Sequence, residues 1–107
     1  MSANGKIQYA NETTFACVVL EEKGPVLVDF YADWCGPCRR LTPVLEQLSA
    51  ELDGVRIVKV DVDQSPGLAA RYNISSIPAL KVFRDGAVTD QLVGLANKQQ
   101  LRNLLKL

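Results

Sequence analysis

The sequence predicts an α/β domain: a mixed sheet of about five strands with helices on both faces. Three observations predict it. β-branched apolar runs alternate along the chain with apolar stripes at helical spacing. The run Pro25–Ala32 is apolar on both faces, as suits a strand covered from two sides. Asp85-Gly86 separates two strand-like runs, the strongest short-range hairpin signal. With 107 residues, 48% of them hydrophobic, the chain has room for one domain, 1–107, around one core.

Each element follows in order. The polar residues 1–5 are expected to be flexible, and Ile7–Tyr9 can form a short strand. Asn11 can cap a helix from Glu12 to about Lys23, with Phe15, Val18, Val19 and Glu22 on one face; Gly24 ends it and Pro25 prevents continuation. After the strand Pro25–Ala32, a second helix runs from near Cys35 to about Leu52 with the stripe Leu41, Val44, Leu45, Leu48 and Leu52. Pro43 falls inside that stripe and predicts a kink, because its ring crowds the Arg39 carbonyl. Val55–Val62 reads as a strand and Pro66–Tyr72 as a short helical turn. Leu80–Arg84 and Ala87–Val93 form the hairpin, and a last helix from Lys98 to about Lys106 packs Leu101, Leu104 and Leu105 inward.

Composition excludes several kinds of chemistry. Twelve basic and twelve acidic side chains cancel, so the chain has no electrostatic footprint for nucleic acid or for an anionic membrane. The longest apolar stretch, Phe15 to Leu20, is six residues; a membrane span needs ~20 and a signal-peptide core at least ~7. A cytoplasmic protein is therefore expected, and without export the Asn-x-Ser/Thr sequences at Asn11 and Asn73 carry no glycan. Histidine is absent, which removes Cys–His and Ser–His–Asp catalysis and every histidine-containing zinc site. Asp61-Val-Asp63 is a poor calcium loop, with its glycine one place late and Tyr72 at the twelfth position. The three cysteines are Cys17, Cys35 and Cys38. A lone C-x-x-C pair supplies too few ligands for structural zinc, and in a histidine-free intracellular domain it points to redox work; neither metal nor cofactor is expected.

Trp34-Cys35-Gly36-Pro37-Cys38 stands at a strand-to-helix junction. Asp29 lies six residues before Cys35, Pro43 five after Cys38, and Lys59-Val-Asp-Val-Asp occupies the next strand. Ser65-Pro66-Gly67, Ile77-Pro78, Asp85-Gly86 and Val93-Gly94 follow in order. Together they resemble the thioredoxin family over essentially Ile7 to Leu107. Mild departures are Tyr31 where the family often has tryptophan, Asp33 where glutamate or proline is common, and Ala79 where threonine is usual. The resemblance implies the thioredoxin fold and an enzyme that reduces disulfides in client proteins by dithiol/disulfide exchange. It also implies a thioredoxin reductase, or an equivalent donor, as the source of electrons. Within the family the bond before the equivalent of Pro78 is cis and lies against the cysteines, leaving the Ile77 backbone free to pair with an extended client segment.

Physical chemistry gives these residues roles. Positions three apart on a helix face one side, within the ~4.4–6.8 Å Cα window of a disulfide. The helix N-terminus favours a thiolate at Cys35, the nucleophile, and places Cys38 one turn deeper as the resolving thiol. Lowering a thiol pKa also weakens the nucleophile, so the spacing that makes the second step intramolecular matters more. Cys38 must lose a proton. Asp29, in an apolar strand, is the candidate acceptor and donor, with Lys59 as partner partly offsetting its charge; a buried ion pair without chemical role is the alternative. Trp34, Gly36, Pro37, Val62, Ile77, Pro78, Val93 and Gly94 are expected to form a flat, mostly uncharged face for clients. Cys17 is expected to be a bystander. The competing functions are a binding module with an incidental redox centre and a disulfide oxidase or isomerase; Gly36-Pro37 argues against an oxidase. A small neutral domain is expected to be a monomer.

Overall fold

The computed structural model describes residues 7–107, so the expectation for residues 1–5 lies outside the described part. Five strands form one sheet: β1 (Ile7–Tyr9), β2 (Val26–Tyr31), β3 (Arg56–Asp61), β4 (Ala79–Arg84) and β5 (Ala87–Val93), in the order β1-β3-β2-β4-β5. The first three run parallel; β4 is antiparallel to β2, and β5 to β4. The helices are α1 (Gly36–Glu51), α2 (Pro66–Arg71) and α3 (Lys98–Leu104). The mixed sheet covered on both faces is as the sequence predicts.

Alternation along the central strands builds two apolar layers. Leu27, Ile57, Leu80 and Val82 pack under α1 and α3 against Leu41, Leu45, Leu48, Leu101 and Leu105. Val28, Phe30, Val58, Val60 and Phe83 pack on the other face against Phe15, Val19 and Leu68. Leu45 is fully buried in the α1 layer. Leu45→Ala should therefore cost about 3 kcal/mol, read as a lower urea midpoint with an unchanged slope.

Two expectations need correction. The segment predicted as a helix over Glu12–Lys23 is shorter: a turn at its start leads into a π-helical stretch over Ala16–Leu20. Asn11 Oδ1 accepts the Thr13 and Thr14 N–H groups and so closes the first turn, whereas the π-helical stretch follows Phe15 without a side-chain cap. The Glu21 N–H donates to the Ala16 carbonyl at 2.9 Å, five residues back. Thr13, Thr14, Val18 and Val19 are β-branched and support a regular α-helix poorly, so packing of Phe15 and Val19 decides the local geometry. In α1 the stripe Leu41, Leu45, Leu48 and Leu52 is buried, but Pro43 is exposed outside it. The helix runs across Pro43 without a break. Two residues from Leu41, the ring is turned about 200° away, onto the exposed side of the helix.

The hairpin turn matches its signal. Asp85 (φ 53°) and Gly86 (φ 82°) both occupy the left-handed region that a tight primed turn requires. A bulge at Val82/Phe83 shifts the β4–β5 register.

Candidate active site

β2 ends at Tyr31, and the chain turns through Ala32, Asp33 and Trp34 into α1. Cys35 is the N-cap, and its Sγ accepts the Cys38 N–H at 3.1 Å. Sulfur thus fills the place of the oxygen that usually satisfies an open helix terminus. Gly36 and Pro37 form the start of the helix, where proline's missing N–H costs nothing. Cys35 and Cys38 are joined as a disulfide with Cα atoms 5.2 Å apart.

The two cysteines are almost equally buried, with exposures of 4% for Cys35 and 2% for Cys38. Surroundings separate them where exposure does not. Cys35 Sγ lies 3.9 Å from the Ile77 carbonyl oxygen. Cys38 lines a separate cleft of about 370 Å³, open at exposed Tyr9, Asp33 and Arg39, together with Tyr31, Thr42 and Lys59. The Ile77–Pro78 bond is cis, as the resemblance implied. The Gly94 N–H donates to the Pro78 carbonyl at 2.8 Å, which seats the end of β5 beside that loop. Gly94 has φ 104°, and no atom stands within 4 Å of where a Cβ would be. Val62 and Ile77 pack half-buried around the cysteines. Trp34 and Val93 are 68% and 64% exposed, large apolar surface that folding leaves uncovered. Beside Trp34 opens a cleft of about 280 Å³ lined by Val62, Pro66, Ala69, Ile74 and Ile77. The residues expected for the client face therefore come together at one end of the sheet.

Asp29 is fully buried, and neither carboxyl oxygen has a hydrogen-bond partner among the described residues. Burial raises its pKa to about 7, and the Lys59 ammonium lowers it in part. Lys59 is the register partner of Asp29 across β2 and β3. The ammonium donates at 3.0 Å to Thr42 Oγ1, and the Thr42 hydroxyl donates in turn to the Cys38 carbonyl at 3.3 Å. Among the described residues no Lys59–Asp29 ion pair forms within 4.0 Å, so the closed buried pair weighed from the sequence is not what the fold builds.

Sequence reasoning missed two contributors. Asp63 accepts the Trp34 indole N–H at 2.8 Å and orients that ring. Thr42 holds Lys59, and its spacing of four from Cys38 on the helix was the available signal. Cys17 is exposed and free. No group of acidic or cysteine side chains among the described residues could hold a metal ion, and no helix is long and apolar enough to cross a membrane.

A paired cysteine at the start of a helix, on a five-stranded mixed sheet and beside a cis-proline, defines a protein of the dithiol–disulfide exchange class. The family model for thioredoxin matches residues 6–107. The chain is 48% identical over 99 residues to a thioredoxin of Chlamydia trachomatis, covering 92% of this chain and 95% of that one. It is 46% identical over 95 residues to thioredoxin 1 of Synechococcus elongatus, covering 88% and 89%. A solved mutant thioredoxin of Halobacterium salinarum superposes with a TM-score of 0.87 at 36% identity, over 99% of this chain and 93% of that one. The chain belongs to the thioredoxin family. It is a thiol–disulfide oxidoreductase that works through Cys35 and Cys38.

Proposed function

We propose that Cys35, as thiolate, attacks a client disulfide and releases one client thiol, and that Cys38 then attacks the mixed disulfide and releases the second. Two electrons pass to the client, and the protein is left with its own disulfide. The observation that carries this order is the setting of Cys35: its sulfur caps the helix N-terminus and abuts the Ile77 carbonyl at the client face, whereas Cys38 borders the separate cleft that Lys59 and Thr42 line. Asp29 accepts the Cys38 proton. A group near neutrality gives up and takes a proton with little driving force in either direction, which suits a step run both ways. Lys59 keeps that carboxyl from rising further. A flavin-dependent thioredoxin reductase, or an equivalent donor, restores the dithiol, and the protein works as a cytoplasmic monomer.

The client lies as an extended segment along Ile77–Pro78 with Trp34, Pro37, Val62 and Val93 around it, and Gly36 and Gly94 allow its backbone to approach. Val93→Glu tests the docking face without touching the core, because Val93 is exposed. The expected result with insulin as client is a KM raised about tenfold, equivalent to ~1.4 kcal/mol, with kcat unchanged. A small aromatic disulfide, which needs no docking face, should be reduced at the wild-type rate. An unchanged KM removes Val93 from client binding.

A further inference from the structure

Three side chains around Lys59 have no part in the proposed exchange: Tyr9, Tyr31 and Thr42. Lys59 Nζ lies 4.5 Å from the Tyr31 ring centroid and 5.9 Å from that of Tyr9, both within reach of a cation–π contact. The rings meet edge to face, with centroids 6.4 Å apart. The ammonium also donates to Thr42 Oγ1. All four residues line the cleft that reaches Cys38. Lys59 is buried and stands opposite Asp29 in the strand register, yet the Asp29 carboxyl oxygens accept no hydrogen bond among the described residues. An ammonium so placed ordinarily closes on the carboxylate beside it, because both charges are costly to bury alone. Here two ring faces and a hydroxyl hold it.

We propose that Tyr31, backed by Tyr9 and Thr42, is a positioning residue whose ring holds the Lys59 ammonium off the Asp29 carboxylate, so that Asp29 stays an exchangeable proton carrier. This rests on the reading of Asp29 as the proton acceptor. The phenol of Tyr31 is pushed up to about 12 by burial and then by the charges of Asp61, Tyr9, Asp33 and Asp29, so the ring acts on the ammonium as a neutral quadrupole and not as an anion. The other groups facing this region are few. β4 presents Leu80 opposite Asp29, α1 presents Cys38 and Arg39, and the turn before α1 presents Asp33, whose carbonyl accepts from Arg39 Nη1. On α3, Lys98 and Arg102 pair with Glu51, and Lys106, past its end, pairs with Asp90. Lys59 is therefore the cation whose position decides the charge state of Asp29.

The test is a carboxyl-carbon NMR titration of Asp29 in the full chain. Tyr31→Leu frees the ammonium to close on Asp29 and should lower the titration midpoint by about one pH unit, the scale of one desolvated ring contact. Tyr31→Phe keeps the ring and should leave the midpoint unchanged. Thr42→Val, which removes the hydroxyl and keeps the shape, should lower it in the same direction should Tyr31→Leu fail to fold. Lys59→Met provides the decisive background: Tyr31→Leu should then have no further effect. A fall of equal size in that background would overturn the proposal, because the ring would only be keeping water out; so would a wild-type midpoint in both Tyr31→Leu and Thr42→Val. The pH profile of mixed-disulfide resolution should move with the titration. A wild-type resolution rate in Asp29→Asn would remove the proton-transfer reading and leave the positioning effect, read by titration, standing.

Discussion

Reduced Cys38→Ser protein mixed with an oxidised client should stall as a covalent one-to-one adduct through Cys35. Cys35→Ser should form no such adduct and reduce no insulin. The asymmetry follows from geometry. In the wild type the Cα atoms are 5.2 Å apart, so the resolving sulfur is already beside the bond it must break. Well-oriented intramolecular groups reach effective molarities of ~10⁵ M or more. A millimolar external thiol cannot replace that, and turnover in Cys38→Ser should fall at least ~10³-fold. Lowered nucleophile pKa cannot compensate, because the gain in thiolate is largely offset by weaker nucleophilicity. Mass spectrometry of the adduct checks the assignment. An adduct in Cys35→Ser and none in Cys38→Ser would exchange the two roles.

Most of this architecture was legible because its signals are local and strong. Asp85-Gly86 demands left-handed backbone that few residue pairs accept, and the hairpin forms there. The stripe on α1 is long enough for its period to override Pro43, which the helix carries on its outer side. Where propensity and pattern were weak, local reading failed. The Glu12–Lys23 segment has β-branched residues at several positions, and contacts from Phe15 and Val19 to the distant Phe83 layer determine its shape. The active site divides the same way. Cys35, Cys38, Ile77 and Pro78 announce themselves by spacing and type. Thr42 and Asp63 do not, because a threonine on a helix and an aspartate in a loop have many ordinary uses. The Asp29–Lys59 relation was half legible: alternation and parallel pairing place the two side by side, but only the assembled rings of Tyr9 and Tyr31 show that the ammonium is held elsewhere.

Asp29→Asn should make the protein more stable and a slower catalyst. Asp29 titrates near 3.8 when solvated and at about 7 in the fold, because burial disfavours its charge more than Lys59 favours it. Between those values the folded state binds more protons than the unfolded one, so wild-type stability falls as pH rises from 4 to 7 and is level above that window. Each pH unit of the displacement corresponds to ~1.4 kcal/mol, so the ionised carboxylate costs about 4 kcal/mol at pH 8. Asparagine has nearly the shape of the protonated acid and carries no charge. The variant should therefore match the wild type below pH 4 and exceed it by about 4 kcal/mol at pH 8, measured by urea unfolding across that range. A stability difference that does not change with pH would mean that Asp29 is not the buried proton carrier. The same substitution should slow resolution of the mixed disulfide by about 10²-fold, the lower range of general acid–base contributions, and leave the first attack by Cys35 much less affected. Stopped-flow separation of the two steps reads this, and equal rates in variant and wild type would take Asp29 out of the reaction. The buried charge opposes the fold, and the proposed proton transfer with Cys38 is the functional reason for tolerating it.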